Sequence, residues 1–208
     1  MTLDKMQVDD FIELLGSSEP APGGGGAAAL MAATGAALSE MVCSITIKNK
    51  NFEWAVESVT ELQSRFKSYE KKFLAGMEED REAFLQVSRA YKLPAGTDEE
   101  KAAKKTAIAE SLKIGVKPPA KLMQTAFEAM KFTEALLGMT APSVVSDIGV
   151  AACSLHSAIK SAWLNVLINL KGFEDEESAK LYRTACEYYL KESEITCAEI
   201  MEKVEAAM

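Results

Sequence analysis

Histidine is almost absent from this chain: His156 is the only one in 208 residues. That excludes a zinc site built on two or three histidines and leaves acid–base chemistry to carboxylates, lysines or water. Cysteine is nearly as scarce. Cys43, Cys153, Cys186 and Cys197 show no C-x-x-C spacing, so thiolate metal sets lack their pattern too. Any metal would need oxygen ligands, and none is assigned. Each cysteine falls in a helix-like stretch and reads as a small buried or half-buried residue of a reducing compartment. Basic blocks are also missing, and the net charge is −8. Nucleic acid needs a basic face for phosphate neutralisation, so it is not expected as a partner, and a membrane surface is disfavoured for the same reason. The opening "MTLDKMQVDDFIELLG" lacks the charged-then-apolar layout of a signal peptide. A cytoplasmic protein is expected.

No stretch reads as a strand; 3.6-residue periodicity dominates throughout. Val8 to Leu15 is a short amphipathic helix closed by Gly16, and "SSEPAPGGGG" is a loop. A small-residue helix follows from Ala27 to about Lys48, then a long one from about Phe52 to Lys92. Thr97 and Glu100 form a capping box for the next. Pro118 or Pro119 supplies the first turn of a helix running to Gly138. Another runs from "APSVVSD" to about Leu170, and a last one follows "KGFEDE". The chain thus predicts an all-α, single-domain bundle of about seven helices spanning 1–208, a length sufficient for one core and short for two. Segments 27–47 and 148–170 are apolar enough to raise the question of membrane spans. Glu40 interrupts the first, and His156, Lys160, Asn165 and Asn169 the second. Neither has basic flanks, so both read as central helices of the bundle.

Three helices break their apolar pattern. In the long helix the stripe Phe52, Val56, Val59, Leu62, Phe66, Tyr69, Phe73, Met77 resumes at Phe84, Val87 and Tyr91. The gap should hold an apolar residue and holds Asp80 instead. A carboxylate there either finds donors on a neighbouring helix or has its pKa raised by desolvation, as at functional sites. In the 143–170 helix, Asp147, Ser154, Ser161 and Asn165 fall within about 40° of one another, with Asn169 about 40° to the other side. That line is either a hydrogen-bonded seam or one wall of a polar pocket. His156 points the opposite way and reads as a satisfied core or interface histidine. Gly35, Ser39, Cys43, Thr46 and Lys50 share a third face. If the three faces meet, they line a cleft between helices.

The run Gly23, Gly24, Gly25, Gly26 lacks the Lys-Ser/Thr of a phosphate loop and follows no strand. It is either a slack loop or a helix N-terminus with bare N–H donors, suited to a carbonyl or an anion.

Taken in order, four blocks resemble one family. "FIELLGSSEPAPGGGGAAALMAATGAALSEMV" resembles the "S-x-P-x-PGGGS-x-A-A" opening of the cyclodeaminase/cyclohydrolase family, and "EEDREAFLQVSRAYKLP" its "D-x-D-x-x-A-F…LP" segment. "SDIGVAA" and "NVLINL" match two later blocks. The family comprises the cyclodeaminase domain of formiminotransferase-cyclodeaminase and stand-alone bacterial relatives, including methenyltetrahydrofolate cyclohydrolases. Its catalytic aspartate falls on Asp80. Three departures stand out. Thr46-Ile47-Lys48-Asn49-Lys50 replaces a common "T-x-G-K-K", Glu78 stands where some relatives carry a second aspartate, and Gly26 replaces a common serine.

The resemblance implies an all-α, dimer-forming enzyme of one-carbon metabolism with a tetrahydrofolate derivative as substrate and no tightly bound cofactor. Asp80 would be the catalytic carboxylate. Asp147, Asn165 and Asn169 would orient the pterin or the attacking group, and Gly23 to Gly26 would let folate lie on bare backbone. Lys48, Lys50, Lys160 or Lys171 would meet the anionic glutamate tail. The absence of a formiminotransferase segment from this sequence favours hydrolysis of 5,10-methenyltetrahydrofolate over cyclodeamination of the 5-formimino compound. A non-catalytic oligomerisation module is the reading from a different class.

Overall fold

The computed structural model describes residues 2–208. Seven α-helices carry the fold: α1 (Val8–Leu15), α2 (Gly24–Ile47), α3 (Val56–Tyr91), α4 (Asp98–Gly115), α5 (Lys117–Ala135), α6 (Val145–Leu170) and α7 (Glu176–Ala207). Short 3-10 turns precede α1, α3 and α6, and no strand occurs among the described residues. Most boundaries fall within a few residues of those read from the sequence. Two differ for identifiable reasons. Helix α2 begins inside the glycine run rather than after it, and Phe52 belongs to a 3-10 turn, Lys50–Ala55, whose φ/ψ break the path into α3.

The caps follow side-chain chemistry. Thr97 accepts from the Glu100 N–H while the Glu100 carboxylate accepts from the Thr97 N–H, which closes the capping box. Asp175 caps α7 by accepting from the Ser178 N–H. Pro118 and Pro119 occupy the first turn of α5, where a missing N–H costs nothing.

Helices α2 and α6 form the centre of the bundle, as their composition predicts. Helix α2 is the one described helix long and apolar enough to span a bilayer, yet its alanines at 28, 29, 32, 33 and 36 are all buried against other helices. Small residues set the spacing. A Cβ at Gly35 would stand 2.8 Å from Leu155 Cγ and 2.9 Å from the Ala151 carbonyl oxygen, closer than real Cβ contacts. Phe66, Phe73, Met77, Met130, Leu155 and Ile159 fill the remaining core.

This packing overturns one expectation. Ser39 and Thr133 hydrogen-bond each other at 2.9 Å, Thr46 bonds the Val42 carbonyl, and Cys43 is fully buried. The Ser39–Thr133 bond joins this face of α2 to α5, and none of its polar residues borders the cavity that Asp80 lines. His156 is half-buried with Nδ1 3.0 Å from Ser193 Oγ, a satisfied core histidine. All four cysteines are free, and Cys153 is exposed rather than buried.

Candidate functional site

Asp80 lies two-thirds of the way along α3, one turn past the buried Met77. Its carboxylate is half-buried, and no protein group among the described residues donates a hydrogen bond to it. Burial alone therefore acts on the charge and pushes the pKa up to about 6. Of the two readings the sequence leaves open, the donor on a neighbouring helix is not there. The carboxylate faces a cavity.

Packed directly against Asp80, at one edge of that cavity, is the start of α2. Gly23 is the N-cap, and the first bond of the helix runs from the Ala27 N–H to the Gly23 carbonyl. The N–H groups of Gly24, Gly25 and Gly26 therefore have no intrahelical acceptor. No side chain caps them. A Cβ at Gly25 would fall within the Asp80 carboxylate, and a Cβ at Gly24 would stand 3.5 Å from Asn165 Nδ2. Asp80 thus excludes any side chain at position 25, whereas a Cβ at position 24 would make only ordinary van der Waals contact with Asn165. Gly26 differs: its missing Cβ points at Pro22, 3.3 Å away. Only Gly23, Gly24 and Gly25 border the cavity.

The cavity is a cleft of about 660 Å³ between the start of α2, the second half of α3, and the ends of α4 and α6. Asn165 and Asn169 form its polar wall. Each donates its amide N–H back to its own helix, Asn165 to the Ser161 carbonyl at 2.9 Å and Asn169 to the Asn165 carbonyl at 2.7 Å. The amide oxygens stay available as acceptors. Gly115, at the end of α4, leaves room for Asn169 Oδ1, which a Cβ there would approach to 2.5 Å. Phe84, Val87 and Tyr91 form the opposite, apolar wall. Phe84 and Tyr91 are 44% and 54% exposed, so the upper half of the α3 stripe lines a cleft, not a core. Lys92 and Lys171 stand at the rim, neither in an ion pair among the described residues.

Several expected residues lie elsewhere. Asp147 sits in the first turn of α6, and at 1.5 Å per residue it is about 27 Å along the axis from Asn165. Helical phase placed the two on one side, but axial distance separates them. Lys48 and Lys50 follow the far end of α2, about 36 Å from Gly24 by the same rise; the cationic groups of the cleft are Lys92 and Lys171. Glu78 turns away to pair with Arg81 and accept from the Leu3 N–H, so it adds no second carboxylate. Ser154 bonds the Val150 carbonyl and is likewise outside the cleft. Sequence reasoning missed Phe84, Val87 and Tyr91 as lining residues. Their spacing from Asp80 (four, seven and eleven) was the signal, since it continues the face that Asp80 occupies.

Among the described residues no group of three or more His, Cys, Asp or Glu side chains could hold a metal. The arrangement offers one proton-labile carboxylate, backbone donors at a positive helix end, two amide acceptors, an aromatic wall and a cationic rim. It suits a flat, polar-edged heterocycle with an anionic tail, reacting beside Asp80 by a step that moves a proton to or from oxygen or nitrogen.

Residues 7–188 match the family described as formiminotransferase-cyclodeaminase. The chain is 38% identical over 195 residues to a methenyltetrahydrofolate cyclohydrolase of Methylorubrum extorquens, covering 92% of this chain and 89% of that protein. It is 32% identical to the formimidoyltransferase-cyclodeaminase of Rattus norvegicus over 94% of its own length, but spans only 36% of that protein. A crystal structure of a formiminotetrahydrofolate cyclodeaminase from Thermotoga maritima shares the fold, with a TM-score of 0.80 over 99% of this chain and 96% of that one at 24% identity.

Proposed function

This chain belongs to the formiminotransferase-cyclodeaminase family, and from that premise we propose that it is an enzyme of tetrahydrofolate one-carbon metabolism, a methenyltetrahydrofolate cyclohydrolase. The observation that carries the reading is the Asp80 carboxylate, without a protein donor, facing the bare N-terminus of α2 inside a folate-sized cleft.

The chemistry follows from the groups present. The substrate carbon between N5 and N10 is an amidinium cation. Asp80 takes a proton from water as the water oxygen bonds to that carbon, and its negative charge lowers the barrier to placing the cation there. In the tetrahedral adduct, N5 gains a proton from Asp80 as the C–N5 bond breaks. Asp80, ionised again, takes the proton of the adduct hydroxyl as that oxygen becomes the formyl oxygen of 10-formyltetrahydrofolate, and this is the one proton released overall. The N–H groups of Gly24 and Gly25 suit that oxygen as charge builds on it. The Asn165 and Asn169 oxygens suit the N–H edge of the pterin, and Phe84 with Tyr91 its faces. Lys92 and Lys171 answer the anionic tail, which the net charge of −8 would otherwise repel.

The cyclodeaminase reaction uses the same carbon and is the second reading, supported by the names of several relatives. The stand-alone relative favours hydrolysis, because it matches this chain over 89% of its length and at higher identity. One pair of assays separates the readings: 10-formyl product from the methenyl compound, against ammonia from 5-formiminotetrahydrofolate. Ammonia release without hydrolysis rejects the cyclohydrolase, and absence of any folate binding in calorimetry rejects both. The free cysteines fit a reducing, cytoplasmic setting. The same reading includes a homodimer, which sedimentation of the purified chain measures directly.

A further inference from the structure

Asp80 and Gly25 line a second cavity besides the cleft. It lies between the start of α2, α3 and α5 and has a volume of about 20 Å³, enough for one water molecule. Its lining includes the ion pair of Lys121 with Glu79, whose Nζ–Oε distances are 2.8 and 3.0 Å. Both side chains are about half exposed, so the niche communicates with solvent. Thr125 stands on the α5 wall. Gly76 stands on the α3 wall, one turn before Asp80 on the same face. A Cβ on Gly76 would meet no atom within 4 Å. No packing within the chain requires this glycine in mid-helix, where glycine is a poor helix former. A side chain there would enter open space at the α3 wall of the niche.

The carboxylate of Asp80 thus partitions two spaces, a large one that takes substrate and a one-water pocket behind it. Hydrolysis of a methenyl cation to a neutral formyl product releases one proton per turnover, and substrate fills the cleft side while that proton must leave. We propose that the niche holds a water molecule that carries the released proton from Asp80 to solvent past the Glu79–Lys121 pair. The Asp80 O–H bond breaks as the niche water accepts the proton, and that water passes one of its own protons to bulk water beside that pair. No oxidant or further reactant is needed. The proposal rests on the hydrolase reading for the proton's origin, but the ordered water does not.

Two sets of experiments test it. A high-resolution crystal structure of the ligand-free protein is expected to show a water within hydrogen-bonding distance of Asp80 in the niche; a dry niche overturns the proposal. Gly76→Leu adds a side chain at the α3 wall of the niche and Thr125→Leu enlarges one at its α5 wall, and neither position lines the cleft. Each is expected to lower kcat about tenfold at unchanged KM and to enlarge the solvent deuterium isotope effect on kcat. Unchanged kcat and isotope effect in both, or a rise in KM alone, overturns it. Gly76→Ala, which favours the helix, covers the case in which the leucine variant fails to fold. If no folate turns over at all, the hydrolase reading falls but the water is still tested. Filling the niche should then raise the Asp80 pKa, measured as the proton uptake that Asp80→Asn abolishes, and an unmoved titration overturns the relay.

Discussion

Gly25 and Asp80 compete for one volume. The carboxylate occupies the space where any other residue at position 25 would carry its Cβ. A glycine in the first turn of a 24-residue helix and an aspartate on an apolar stripe are each unfavourable alone. Together they bring a desolvated carboxylate against a positive helix end with no side chain between.

Gly25→Ala should therefore be a functional rather than a stability mutation. Alanine improves helix propensity by up to about 1 kcal/mol, which offsets part of the strain of displacing Asp80. The expected result is a melting temperature within a few degrees of wild type and a fall in kcat/KM of about 100-fold. Near-normal turnover would mean that Asp80 reacts from a different position than the one it holds here.

Asp80→Asn should stabilise the protein, and the sign follows from proton linkage. The folded pKa of about 6 lies above the ordinary value of 3.8, so between those values the folded chain binds more protons than the unfolded chain. Stability then falls as pH rises through that window, and the full penalty persists above pH 6. A tenfold change in proton affinity is worth about 1.4 kcal/mol, so the raised pKa sets an upper limit of about 3 kcal/mol; water in the cleft reduces it to about 1–2 kcal/mol. Urea melts at pH 4 and pH 7.5 check this. The variant should match wild type at the lower pH and exceed it at the higher.

The same titration should shape catalysis. A base must be ionised to accept a proton, so kcat/KM should rise through about pH 6 and level above it. Bound substrate brings a cation beside Asp80 and lowers its pKa, so the break in kcat should fall at lower pH than the break in kcat/KM. In Asp80→Asn the profile should flatten and activity drop by about 10²–10⁴-fold. A profile unchanged in shape would assign the proton transfer to another group.

Helix number, type and most boundaries were legible because 3.6-residue patterning and capping residues are local. Asp80 was legible for the same reason, as a break in a stripe. What the stripe could not show is that its upper half, Phe84 to Tyr91, faces a cleft, since an apolar face packs equally well against a core or a flat ligand. Asp147 and Asn165 share a helical phase, and phase carries no axial distance. Gly115 and Lys92 carried no local signal at all; they reach the cleft because α4 and α6 end beside α3.

Lys92 and Lys171 should act on affinity, not on chemistry. They stand at the rim, away from Asp80 and without ion-pair partners among the described residues. Lys92→Glu with Lys171→Glu should raise KM for methenyltetrahydrofolate about tenfold at low salt, with kcat within about twofold and the difference shrinking as salt rises. Equal KM for substrates with and without the glutamate tail in wild type would remove these lysines from recognition.

Asp147 tests whether the cleft is complete within one chain. It shares the resemblance-matched "SDIGVAA" block, yet it sits in the first turn of α6 at the opposite end of that helix from Asn165. Its charge there favours the helix N-terminus by about 0.3–1 kcal/mol, so Asp147→Ala should lower stability slightly. Its kinetics should stay within about twofold of wild type, while Asn165→Ala, at the wall of the cleft, should raise KM about tenfold through the lost amide acceptor. A large fall in kcat/KM for Asp147→Ala, with the fold intact by circular dichroism, would require the residue to reach the cleft of a second subunit. The reacting groups would then belong to two chains, and activity should fall with dilution.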